Sequence, residues 1–184
     1  IIDRTAALDI GAAHGPHGWN DPDMLQVGNG PDSGQSQHEP TDVRRPLTEA
    51  ETRTHFAFWC LLGAPLMVGT DLEALGERDR ELLTNEHLVA IDQDPLGVQA
   101  TPDRRDDAVS VWSKRLHDGG AAVGLFNRGE ERATIHSHTS EVAVPERDSY
   151  RVLDCWTGDE WATDGEFEAA VEPRDTVVLR VTPR

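Results

Sequence analysis

The chain has 184 residues, 37% of them hydrophobic and 28% charged, and its 34 acidic residues against 17 basic ones give a formal charge of −17. That is enough apolar material for packed units of roughly 100 to 150 residues, and it excludes a disordered chain. The acidic balance excludes nucleic acid as a partner and disfavours anionic lipid, and no window reaches the ~18 consecutive apolar residues of a membrane span.

Charge of this kind speaks first to solubility, and it suits a halophilic cell or an enzyme from an Arg-favouring genome, the halophile being the reading favoured. Lys114 is the chain's only lysine. Cys60 and Cys155 are too few and too far apart for a disulfide framework or a metal site, and read as small buried hydrophobes. The start Ile1-Ile2-Asp3-Arg4 has neither an initiator Met nor a signal pattern, so it reads as an internal start and leaves localisation open.

In chain order, the apolar run at residues 6–10 predicts a buried strand that empties into the small-residue stretch at residues 11–18. Residues 28–46, rich in Gly, Pro, Asp, Ser and Gln, predict a surface loop of functional length. Thr48-Glu49-Ala50-Glu51 is a capping-box signature, predicting a helix to about Leu62 with Gly63 as its C-terminal cap. The run Ala64 to Gly69 predicts a short buried strand, followed by helical stretches at residues 78–83 and 86–91 that Gln93-Asp94-Pro95 stops. This alternation belongs to parallel sheet or barrel units covered by helices.

After about Ala100 the pattern changes. Residues 109–113, 121–126, 132–136, 150–154, 166–171 and 176–181 alternate apolar with polar residues, predicting half-buried antiparallel strands of a small β-sandwich. Asp118-Gly119-Gly120 predicts a hairpin turn. The division is therefore residues 1–99 for the α/β part and 100–184 for the all-β part.

The densest polar cluster is Trp19-Asn20-Asp21-Pro22-Asp23-Met24-Leu25. Sites in parallel α/β barrels are built on the loops that follow the strands, and here two carboxylates flank a proline beside a Trp that could platform a sugar ring. A glycosidase acid and nucleophile must address opposite sides of one linkage, so two carboxylates on a single loop do not make that pair. The plainer alternative is that Asp21 caps the turn and Asp23 bonds backbone amides.

This string, followed by Val27-Gly28-Asn29, Ala64-Pro65-Leu66, Asp71-Leu72 and Ile91-Asp92-Gln93-Asp94-Pro95-Leu96-Gly97, resembles in order the C-terminal part of the family 27 glycoside hydrolases, the α-galactosidases and α-N-acetylgalactosaminidases. The resemblance implies the last βα units, strands seven and eight, of a (β/α)8 TIM barrel followed by an antiparallel β-sandwich. Leu8 to Ile10 would be the seventh strand and Leu66 to Val68 the eighth. It implies a retaining hydrolase of terminal α-linked galactose whose two catalytic carboxylates lie upstream of Ile1, leaving no catalytic residue in this chain.

The same resemblance makes Asp23 a galactose-contacting carboxylate and Met24 its pocket neighbour. Trp19 and Asp21 complete the substrate-binding candidates, with Asn20 and Asp21 expected mainly to shape the loop. His14 and His17 depart from the family's small residues, have no metal-ligand spacing, and read as solvated. No cofactor or metal is implied; the expected partner is an α-galactoside, with a homo-oligomer left open. α-N-acetylgalactosaminidase or β-L-arabinopyranosidase specificity remains an alternative. So does a non-catalytic carbohydrate-binding module using Trp112, Trp156 and Trp161, which at strand spacing read more readily as core.

Overall fold

The computed structural model describes residues 2–7, 14–15, 18–30 and 46–184. Helix α1 (Ile2–Ala6) opens it. The strand expected at residues 6–10 thus reaches the described residues only at Ala6, which closes a helix, and Ala7, in the turn after it; Leu8 to Ile10, the expected seventh barrel strand, and His17 lie outside them.

Helix α2 (Glu49–Leu62) starts as its capping box requires, with Glu51 N–H donating to Thr48 Oγ1 at 3.3 Å and Thr48 N–H to Glu51 Oε2 at 2.9 Å. It ends in a Schellman turn: Gly63 takes φ 61°, its N–H donates to the Cys60 carbonyl, and Ala64 N–H donates to the Trp59 carbonyl. Every residue from Phe56 to Leu62 is buried, so the C-terminal half of the helix is covered all round. Helices α3 (Glu77–Leu83) and α4 (Glu86–Asp92) follow, and α4 is capped by Asn85, whose side chain accepts from Leu88 N–H.

The buried strand expected at residues 64–69 is reduced to a parallel bridge between Val68 and Leu25. Leu25 N–H donates to the Met67 carbonyl at 2.8 Å and Gly69 N–H to the Leu25 carbonyl at 3.0 Å. Met67 is 56% exposed, because among the described residues only the Leu25 segment runs alongside. The partner of the segment expected as the eighth strand is therefore the end of the Trp19–Leu25 motif.

Among the described residues of the C-terminal part, the strands are β1 (Thr101–Arg105), β2 (Val109–Arg115), β3 (Ala121–Asn127), β4 (Ala133–His138), β5 (Tyr150–Asp154), β6 (Glu160–Thr163), β7 (Glu166–Val171) and β8 (Thr176–Pro183). They form an antiparallel sheet ordered β1-β2-β3-β8-β5-β6 and a second, β4-β7. The β2–β3 hairpin turns at Asp118 to Gly120, with Gly119 at φ 86°. Strands β1 and β6 escape the hydrophobic pattern because both are edges. β1 carries Pro102 beside a bulge and charged residues at Asp103, Arg104 and Arg105, devices that blunt an edge.

The larger sheet is buried on both faces. Val111, Val123, Leu125, Leu179 and Val181 pack towards Ile135, Phe167 and Val171 of the smaller sheet. Trp112, Ala122, Phe126 and Val178 pack on α2, Leu25 and α4. Strand β3 is consequently buried at every position, where a half-buried strand was expected. The reason is α2, which takes the place of solvent.

That contact depends on Gly124, where an added Cβ would sit 2.6 Å from Leu61 Cδ1. Gly124→Ala should lower stability by about 1–3 kcal/mol through overpacking, seen as a shifted denaturation midpoint, whereas Gly119→Asn in the open hairpin turn should cost far less.

Candidate functional site

The site segment runs from Gly18 into Leu25, and its backbone is fixed before any ligand is considered. Asp21 Oδ1 accepts from Asp23 N–H at 2.9 Å, an Asx turn around the buried Pro22. Asp23 then takes φ 91°, a left-handed conformation that costs a non-glycine residue about 1–3 kcal/mol and persists only where surroundings hold it. Its own Oδ1 accepts from Met24 N–H at 2.7 Å, the local bond that makes Asp tolerant of this region.

Helix α2 grips the segment from below. Trp59 Nε1–H donates to the Asp23 carbonyl at 2.8 Å, and His55 Nε2 accepts from Gln26 N–H at 2.9 Å. The two rings stand 4.0 Å apart on successive turns of the helix. Because Nε2 is an acceptor, His55 is neutral, and burial pushes its pKa down to about 4. With the Leu25 bridge to Met67 and Gly69, the chain from Asp23 to Gln26 is tied at each step.

The result presents Asp21, Asp23 and Met24 at the surface while Leu25 is buried beneath them. Both carboxylates keep Oδ2 without a hydrogen-bond partner among the described residues. Trp19, 48% exposed, lies against Gly97, where a Cβ would come within 2.8 Å of its ring and φ is 57°. It also meets His14 edge-on, with ring centroids 5.1 Å apart. The four residues proposed from sequence thus share one short segment, braced by the turn of Asp94 to Gly97.

A second layer had no clear signal in the sequence. Asn20 Nδ2 donates to Gln99 Oε1 at 2.8 Å, and Gln99 is buried against the Thr5 carbonyl. Asn20 N–H donates to His14 Nδ1 at 3.3 Å. His14, expected to be solvated, is instead half-buried, and burial together with nearby Lys114 lowers its pKa. Lys114 is itself buried and donates from Nζ to the Cys60 carbonyl at 3.1 Å. Burial pulls Lys114 down to about 8 against the attraction of Asp92, and burial raises Asp92 to about 7. Cys60 and Cys155 are buried separate thiols. Among the described residues no group of His, Cys, Asp and Glu is placed to hold a metal ion.

A family model described as alpha galactosidase A matches residues 1–94, and one described as the alpha galactosidase C-terminal beta sandwich domain matches residues 106–181. The chain belongs to the α-galactosidases of glycoside hydrolase family 27. It carries the last part of the family's (β/α)8 barrel followed by its antiparallel β-sandwich. An α-galactosidase of Oryza sativa subsp. japonica is 36% identical over 184 residues, covering 100% of this chain and 40% of that protein. A Bacteroides fragilis structure described as an α-galactosidase/melibiase superposes with a TM-score of 0.82 at 31% identity, over 97% of this chain and 38% of that one. The Saccharomyces cerevisiae α-galactosidase solved with raffinose shares the fold, with a TM-score of 0.80 at 19% identity over 100% of this chain and 50% of that one. The chain spans about 40% of the length of the curated relatives it matches.

The half-buried His55 gives a pH signature. Unfolded, it titrates near 6.5; folded, near 4; between these values the unfolded state binds more protons, so acidification favours unfolding. Compared with His55→Gln, the unsubstituted protein should lose up to about 3 kcal/mol of stability between pH 6.5 and 4 and nothing above pH 7.5, read from denaturant midpoints across pH.

Proposed function

We propose that this chain supplies one wall of the galactose pocket of a retaining α-galactoside hydrolase, together with its trailing sandwich. Asp23 is the group that receives sugar hydroxyls, Met24 packs beside the ring, and Trp19 offers an apolar face. Asp21 sets the turn. The division at residues 1–99 and 100–184 belongs to the same proposal, supported by β1 opening the larger sheet at Thr101.

The observation that carries this reading is the strained, exposed turn at Asp23. A left-handed aspartate tied through Trp59 and Met24 N–H holds a carboxylate at a fixed position at the end of the Leu25 bridge, as a charged acceptor for a neutral sugar requires. The bond-breaking pair needs carboxylates about 5–5.5 Å apart on either side of the linkage. Asp21 and Asp23 do not suit that task, because each is committed through Oδ1 to a backbone amide of the same turn. Nucleophile and acid/base are therefore assigned outside these residues.

A sugar-binding module built on the sandwich aromatics has little support. Trp112 is fully buried, and Trp156 spends its N–H on the Thr176 carbonyl with Arg53 stacked over its ring.

The test compares the protein expressed from its complete reading frame with the 184 residues alone on an aryl α-galactoside. The complete protein should hydrolyse it with retention and the 184 residues should not; turnover by the 184 residues alone would contradict the assignment of catalysis. Asp23→Ala in the complete protein should lower kcat/KM by about 100-fold or more, on the scale of losing a charged hydrogen bond to substrate.

A further inference from the structure

Asp23 is held partly by bonds within its own turn and partly by a bond from helix α2 beneath it. Trp59 and His55 lie one turn apart on the same side of α2, and each makes one hydrogen bond to the main chain of the site segment, three residues apart. Trp59 takes the Asp23 carbonyl and His55 takes the Gln26 amide, so one donor and one acceptor bracket Asp23, Met24 and Leu25. Their rings pack against each other tilted by 57°, with centroids 4.0 Å apart, so each limits the rotamers of the other.

We infer that Trp59 and His55 form a positioning clamp for the sugar pocket, setting affinity for the substrate through the backbone of Asp23 without touching the substrate. This rests on the reading of Asp23 as the group that receives galactose.

The chemistry of the two residues fits the task. Indole N–H is a donor only, so it can serve the Asp23 carbonyl and cannot pair with a neighbouring N–H. The imidazole supplies an acceptor where a helix otherwise offers none, since the helix's own carbonyls are used along its axis. Without the clamp, the left-handed turn would keep the Asx bond from Asp21 and the bond from Met24 N–H, both made by exposed side chains. Such a turn relaxes readily towards negative φ, which swings the Asp23 carboxylate away from its place. Loss of positioning at a binding group that serves ground state and transition state alike raises KM and leaves kcat nearly unchanged.

The experiment uses the complete protein and the variants Trp59→Phe, His55→Leu and His55→Gln, with kinetics on an aryl α-galactoside and hydrogen exchange of the amides of Met24 and Gln26. Trp59→Phe keeps the ring and removes the donor; it should raise KM about tenfold, change kcat less than about twofold, and retain a cooperative melt. His55→Leu should act in the same direction, and His55→Gln, whose amide oxygen can accept from Gln26 N–H, should recover most of the loss. Exchange at Met24 and Gln26 should quicken about tenfold in Trp59→Phe and His55→Leu respectively. An unchanged KM in a folded Trp59→Phe, a fall in kcat at constant KM, or a His55→Gln that behaves like His55→Leu would each overturn the clamp. If Trp59→Phe does not fold, the two His55 variants decide. If the unsubstituted protein shows no turnover of the galactoside, the functional reading fails, while unchanged amide exchange in the variants separately overturns the clamp.

Discussion

The burial of the C-terminal half of helix α2 on every side is the constraint on which the rest depends. A run such as Phe56-Ala57-Phe58-Trp59-Cys60-Leu61-Leu62 cannot be a surface helix, because no polar face remains to meet water. The fold must therefore supply cover in all directions, and it draws that cover from both parts of the chain. Phe58 stands edge-on to Trp112 and Phe126 at 5.2 Å in each case, joining the helix to the larger sheet of the sandwich. His55 and Trp59 turn towards the site segment. One helix is thus the core of the sandwich's second face and the floor of the candidate pocket.

Covering a helix end as well as its sides raises the problem of its free carbonyls, and Lys114 answers part of it. The C-terminal turn of α2 carries partial negative charge, and a buried cation there meets both the dipole and a specific acceptor, the Cys60 carbonyl. Lysine suits the place better than the arginine this chain otherwise uses. A compact ammonium on an apolar stem passes between β-strand side chains, whereas a guanidinium would bring five donors into a site that offers few acceptors. The opposing shifts of Lys114 and Asp92 have one cause, shared burial, and each charge limits the cost of the other.

Much of this was legible in the sequence because the signals were local. The capping box at Thr48 and Glu51, the αL cap at Gly63, the hairpin at Asp118 to Gly120 and the alternation of β4 and β7 are decided by residues a few positions apart, whereas β2 and β8, like β3, are buried on both faces. The resemblance carried by the Trp19–Leu25 and Ile91–Gly97 strings placed the family. What escaped was decided by distant partners. Nothing local to β3 says that α2 will cover its outer face, and Gly124 reads as an interruption until Leu61 is seen above it. The bridge between Val68 and Leu25 joins two segments far apart in the chain, and neither carries a periodicity that names the other. His14 read as solvated because one of its partners, Lys114, lies far along the chain from the Trp19-Asn20 pair that also meets it.

Asp21 and Asp23 show why residue type and spacing alone leave function open. Two identical side chains two positions apart differ through their backbones. Asp21 spends Oδ1 on closing a turn, and its own main chain is ordinary. Asp23 sits in a left-handed conformation held by two bonds of its own turn and by one to its carbonyl from Trp59 of helix α2. Strain retained at an exposed carboxylate, and opposed by a buried indole, is hard to explain by folding stability, since a glycine there would remove the strain without loss of the carbonyl bond. It is explained if the carboxylate must stand at one place. The sequence string marks the segment, and under the proposed function the backbone of Asp23 distinguishes it from Asp21 as the carboxylate that receives the sugar.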